Sequence, residues 1–393
     1  MAGSGVAIGV TPSSGTTSPS MSQGRLLAGG LAFVGLTVAV FWWLFNRVPG
    51  EDTGPLLADL RWGYFLLLLL VLPVESVTAA ARIWLVLRVL HPGVSFWTCL
   101  QSELANIGVS LLTPSQSGGG PGQIYVLNRR GGVCFATGLT ATLISFMGTM
   151  VGLLLLGLYS LVVAGVATNG FLYLTPVWTL TAIAAALLLG ATWPDRCRIG
   201  LARLSRTVWR VLRRPESVVD WWPPGTDRMG PAVDRMDAWT ARLVDLLYTY
   251  REDIGRFLRH GKACFVAVCL LSVSFLLARA LMPYLCARFL GVEGGTLRHI
   301  LEVQMALIFL VFFAPTPGGA GIAEAASLSI MGDIVPPGVA PYYNLLWRVS
   351  TAYLAALAGF LCLGRAVIQG AARNGWGRPL AAAMPRTNGG LLP

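Results

Sequence analysis

Seven ionisable side chains, Glu75, Arg82, Glu103, Arg279, Glu302, Glu324 and Arg348, lie within or beside long apolar runs of this 393-residue chain. A charge at the centre of a bilayer costs roughly 2.5–3.5 kcal/mol on insertion scales. Each of the seven is therefore expected either to act on a ligand or to form half of a structural ion pair. Glu75 and Arg82 are seven residues apart and share a helical face two turns apart. Arg348 is placed to reach a carboxylate of the glycine-rich stretch before it, with Glu324 as the expected partner, and Glu103 and Glu302 are further candidates. Arg82, Arg88 and Arg288 fall near the ends of apolar runs, where snorkelling to the interface accounts for them.

The same residues argue against several other chemistries. The carboxylates are dispersed, with no DxD-type pair, no HExxH and no GxSxG. No GxxxxGK[ST] phosphate loop is present, so no ATP site is expected. The seven cysteines form no CxxC or Cys/His cluster, which implies neither a metal site nor a disulfide framework. No cofactor is expected.

The elements that must position these charges follow from composition. The chain is 55% hydrophobic and 12% charged, with a mean hydropathy of +0.66. A water-soluble domain carries about a quarter charged residues, so the solvent for most of this chain is lipid. The reading is an all-α polytopic membrane protein with spans at 26–46, 62–87, 133–166, 172–193, 262–290 and 342–367. Residues 1–22 read as a disordered tail, and 371–393 as a flexible one. The first transmembrane half is 23–194, the second 262–370, and a basic loop at 195–261 joins them.

Two regions, 95–130 and 297–332, are apolar but interrupted. "SELANIGVSLLTPSQSGGGPGQ" (102–123) and "LEVQMALIFLVFFAPTPGGAGI" (301–322) align without a gap at an offset of 199, placing Glu103 on Glu302, Gly119 and Gly120 on Gly318 and Gly319, and Gly122 on Gly321. This reads as an internal duplication. Val303–Ala314 spans about 18 Å as a helix, against a hydrocarbon core of about 30 Å, which suits a re-entrant segment. Backbone opened at that depth needs protein or a water-filled cavity around it. The N–H groups of a helix starting after "GGAG" would suit an anionic headgroup there. Only "QIYVLN" separates Gly122 from Arg129, so little returning limb is expected in the first copy. Close packing of ordinary spanning helices through the glycines is the other reading.

The formal net charge of +11 points to membrane orientation rather than nucleic acid, because the basic residues sit in loops between apolar runs. The loop carries two amphipathic patterns. One has Arg196, Arg203, Arg206, Arg210 and Arg213 on a face; the other repeats Val233, Met236, Trp239, Leu243, Leu246, Tyr250, Ile254 and Phe257. The loop reads as a lipid or partner docking element or a solvated connector, and as cytoplasmic. Both termini then fall inside and the two broken segments enter from opposite sides. That is the sequence-level mark of an inverted-repeat transporter.

"APTPGGAGIAEAA" (314–326), with Arg348 in the final span, resembles the integral membrane family that includes the flippase domain of lysylphosphatidylglycerol synthases. "TPSQSGGGPGQIYVLNRRGG" (113–132) is similar to one branch of it. The resemblance implies movement of an amphipathic lipid, anionic and phosphate-bearing or isoprenoid, across the bacterial inner membrane. It points to Pro317, Gly318, Gly319, Gly321, Glu324 and Arg348 in the second half and to Gly119, Gly120, Gly122 and Arg129 in the first. Many relatives carry a glutamate where this chain has Gln123, and no aminoacyl-transferase domain is expected after residue 370. The expected partners are membrane lipids, with lipid-synthesis enzymes as partners if the chain is a scaffold. A lipid-modifying enzyme of glycosyltransferase type is the other alternative to a transporter.

Overall fold

The structure is a computed structural model that describes residues 60–164, 230–312 and 314–372, with short pieces inside 35–46 and 178–182. The expected spans at 26–46 and 172–193 and the first amphipathic pattern of the loop fall outside the described residues, those short pieces apart. Ten α-helices follow: α1 Trp62–Leu90, α2 Phe96–Leu112, α3 Gly119–Gly131, α4 Phe135–Ala164, α5 Gly230–His260, α6 Lys262–Phe289, α7 Leu297–Phe312, α8 Ile322–Met331, α9 Ala340–Arg348 and α10 Leu354–Ala372. A π-helical turn, Val349–Tyr353, joins α9 to α10.

Four of these stretches are long and apolar enough to cross a membrane: Trp62–Leu90, Phe135–Leu156, Lys262–Phe289 and Ala340–Ala366. The protein is a multi-pass membrane protein. The 29 residues of α1 give a helix of about 43 Å, longer than the hydrocarbon core, which a tilt accommodates. Its Leu66, Leu67, Leu69 and Leu70 are exposed, as a lipid-facing surface requires, while Ala79, Ala80, Ile83, Val86 and Leu87 are buried inside the bundle.

α1 lies along α6, and α4 packs on α6 and on α3. One core cluster runs from Leu68 through Met282 and Leu285 to Met331 and Tyr343, tying α1 and α6 to α8 and α9. A second joins Ile83, Val86 and Leu87 to Leu127, Ile144 and Val268. α2 crosses α10 at backbone distance: a Cβ on Gly359 would stand 2.0 Å from the carbonyl oxygen of Leu104. Only a residue without a side chain lets the two helices approach that closely.

The second amphipathic pattern of the loop forms α5, with Tyr250, Ile254 and Phe257 buried. Phe257 joins the cluster of Ile83 and Leu127, and Arg256 Nη1 donates to the Leu90 carbonyl at the end of α1, 3.0 Å away. This part of the loop is docked on the bundle rather than a free connector.

Both interrupted regions are helix–break–helix units, α2–α3 and α7–α8. The expectation of little returning limb in the first is corrected, because α3 is 13 residues long and α8 is 10. The reason is where the glycines sit. Gly119, Gly120 and Gly122 lie within α3 itself, so the helix begins four residues earlier than a turn ending at Gly122 would place it, and it continues through Arg129 to Gly131.

Gly359→Val is expected to destabilise the protein by about 1–3 kcal/mol, the usual cost of overpacking, read as a lowered melting temperature in detergent. Gly364, around which nothing lies within 4 Å, is the control: Gly364→Ala is expected to melt as wild type does.

Candidate functional site

The two breaks meet. Pro114 and Pro317 form an antiparallel bridge, the Ser115 amide donates to the Ala314 carbonyl at 3.0 Å, and Gln116 Nε2 donates to the Val311 carbonyl at 3.3 Å. Beside this junction lies a cavity of about 550 Å³, with Arg82, Glu103, Gln116, Gln123, Arg279 and Arg348 among its lining.

The second break is held by its own charges. Gly318, Gly319 and Gly321 have φ of 59°, 70° and 82°, a region in which a side chain is strained. Gly321 caps α8, and its amide donates to Glu324 Oε2 at 2.7 Å. The other oxygen, Oε1, lies 2.7 Å from Arg348 Nε. Arg348 Nη2 donates in turn to the Gly318 carbonyl at 3.0 Å. One arginine thus grips both ends of the glycine loop, and Arg348 and Glu324 are only 3% and 1% exposed. The Glu324–Arg348 partnership expected from sequence is present. Pro317 is half-buried within the loop.

The first break is held differently. Glu103 is buried and accepts from two amides: Gln123 Nε2 donates to Oε2 at 2.5 Å, and Asn106 Nδ2 donates to Oε1 at 3.5 Å. Thr142 Oγ1 donates to Gln123 Oε1 at 3.1 Å, which fixes the orientation of that amide. Gly119 and Gly122 let α3 press against α2, since a Cβ on either would strike Asn106 and Ser110, or Val109. Gly120 faces the cavity instead.

Not every expected site residue converges here. Arg129 lies at the far end of α3 over the Tyr125 ring, away from the cavity lining. Glu302 is on α7, and its side chain falls outside the described residues. Arg82 corrects the snorkelling expectation. It is 5% exposed and lines the cavity, donating through Nη1 to the hydroxyls of Thr149 and Ser272 (3.3 Å to Ser272), with its guanidinium 4.3 Å from the centre of the Phe275 ring. Burial of α1 by α4 and α6 closes the route to the interface. Arg88 and Arg288 do lie near helix ends, over Trp84 and Tyr284. Glu75 pairs with Arg279 at 2.7 Å, joining α1 to α6 across 204 positions of sequence. Among the described residues, no three His, Cys, Asp or Glu side chains converge as a metal site would need.

Among known protein families, the lysylphosphatidylglycerol synthase TM region matches residues 27–359 of the chain, most of its length. No curated protein matches it.

Removing one partner of a buried ion pair costs about 3–5 kcal/mol. Arg348→Met and Glu324→Gln are each expected to lower stability by about that much in thermal unfolding, and the double variant by less than their sum. Additive losses would show that the two side chains do not act as a pair.

Proposed function

The chain belongs to the family of the lysylphosphatidylglycerol synthase TM region, and we propose that it is a transporter that moves a phosphate-bearing amphipathic lipid between the leaflets of the membrane. The observation that carries this reading is the charged cavity of about 550 Å³ at the meeting of two broken helices. A polar cavity within apolar spans gives a headgroup a path that hydrocarbon denies it, and acyl chains can remain in lipid outside. Arg82 supplies the anion contact: a guanidinium is planar, always charged and suited to phosphate. The two broken segments are, in this reading, the copies of an inverted repeat. The basic stretch 195–261 lies on the cytoplasmic side with both termini, in the inner membrane of a bacterium.

The test is lipid exchange in proteoliposomes containing phosphatidylglycerol labelled on an acyl chain. Wild-type protein is expected to speed exchange between leaflets. Arg82→Gln is expected to slow it by about ten- to a hundredfold, as loss of a charge-assisted contact worth about 1.5–3 kcal/mol implies. Exchange no faster than in protein-free vesicles, for anionic, zwitterionic and isoprenoid-phosphate lipids alike, would sink the transport reading.

A further inference from the structure

Charge around the cavity cancels in two places and stands open in a third. Arg279 is engaged by Glu75 and Arg348 by Glu324, each pair at 2.7 Å. Arg82 and Glu103 both line the cavity and lie within electrostatic reach of each other, yet among the described residues no ion pair joins them. Arg82 Nη1 is occupied by two hydroxyls, while its Nε is buried without a hydrogen-bond partner. A native structure seldom leaves such a donor unused without a reason. Glu103, for its part, has only neutral amide partners.

Resting on the transport reading above, we propose that Glu103 is a proton-binding site coupled to the lipid: an anionic headgroup that settles on Arg82 is accompanied by one proton on Glu103. Empty, the site holds one positive and one negative charge, which cancel. A phosphate on Arg82 alone would leave two anions facing one cation in a medium where charge is poorly screened. A proton taken from water in the cavity converts the Glu103 carboxylate to a neutral acid. The phosphate and Arg82 then cancel, and the loaded site is again neutral. Both the empty and the doubly loaded site therefore avoid carrying net charge through the membrane, and the singly loaded one does not. By linkage, the proton strengthens lipid binding by the same factor by which the lipid strengthens proton binding.

The surroundings of Glu103 support this assignment. Helix α1 presents Arg82 and, further along, Glu75, which Arg279 engages. Gln123 comes from α3, and α4 offers hydroxyls, among them Thr142 behind Gln123. On α2 itself, Cys99 and Asn106 stand about one turn to either side. Arg279 and Arg348 reach the cavity from α6 and α9, each already engaged by its own glutamate. Arg82 is thus the cation whose engagement by a ligand Glu103 would register.

The experiment adds dihexanoyl phosphatidylglycerol to the purified full chain in detergent, in weak buffer with a pH indicator, and measures lipid binding by calorimetry. Proton uptake is expected over the pH range in which the empty Glu103 carboxyl is ionised, approaching about one proton per lipid bound in a series taken through neutral to alkaline pH. Affinity should then fall by up to about tenfold per unit rise in pH. Glu103→Gln, of nearly the same shape, should bind the lipid with no proton uptake and a flat pH dependence. Binding by wild type without proton uptake, or equal uptake by Glu103→Gln, overturns the coupling and leaves the transport reading standing. Failure of wild type to bind any of a panel of anionic and isoprenoid-phosphate short-chain lipids removes the phosphate site itself, and the coupling with it.

Discussion

Backbone that leaves a helix inside hydrocarbon must find hydrogen-bond partners from protein or from a water-filled cavity, and in this protein the two interruptions supply them to each other. The Ser115 amide is satisfied by the Ala314 carbonyl, and the carbonyl of Val311, exposed by the end of α7, is taken by the side chain of Gln116. The prolines that end the helices, Pro114 and Pro317, have no N–H to satisfy and sit where the strands of the two breaks bridge. The two breaks are thus satisfied in part by one another. Their dependence on one another fixes where they meet, and the cavity lies beside that meeting point.

The intramembrane charges divide along the same line. Two glutamates are engaged in holding the frame: Glu75 ties α1 to α6 through Arg279, and Glu324 ties α8 to α9 through Arg348. The second pair also reaches the loop backbone at Gly318 and Gly321, so a single charged cluster fixes a turn in which three glycines have positive φ. Buried pairs of this kind bring little net stability compared with apolar packing, but breaking one is costly. They suit parts that must not move. Of the remaining charges, the two whose side chains are described, Arg82 and Glu103, are held by hydroxyls and amides. Such partners tolerate a change of charge nearby.

Much of this was legible in the sequence because the bilayer enforces it. The apolar runs at 62–87, 133–166, 262–290 and 342–367 had to be spanning helices, the proline- and glycine-rich clusters inside 95–130 and 297–332 had to interrupt theirs, and Arg348 had a carboxylate in reach at Glu324. What was not legible depended on rotation and on distant neighbours. Arg82 sits close enough to the end of α1 that snorkelling and burial predict the same sequence; packing of α4 and α6 over it decides between them. Glu75 finds Arg279 rather than Arg82, although the latter is two turns away on the same face, because α6 lies directly along α1. The start of α3 at Gly119 was hidden for a different reason. Glycines serve equally as a turn and as the close-packed first turn of a helix, and only the contact with Asn106, Ser110 and Val109 separates the two uses. Gln123 was visible as a departure from the pattern the family resemblance implies, but its donation to Glu103 required α2 and α3 to be side by side.

The two breaks also differ in how they turn, and the difference bears on which one can yield. The second uses glycines at its positive-φ positions, so its conformation is nearly free of strain. The first uses Ser115 and Gln116, with φ of 51° and 54°. Residues with side chains adopt that region at some cost and keep it only where their surroundings hold them there. What holds them here is the other break: the Ser115 amide and the Gln116 side chain both donate to the carbonyls of residues 311 and 314. Separating the two breaks would therefore lose hydrogen bonds while releasing backbone strain, whereas unwinding the second loop would break a buried ion pair with no strain to recover. Of the two, the junction is the less costly place to open. Gln116, at the junction, shares the cavity lining with Glu103 and Arg82.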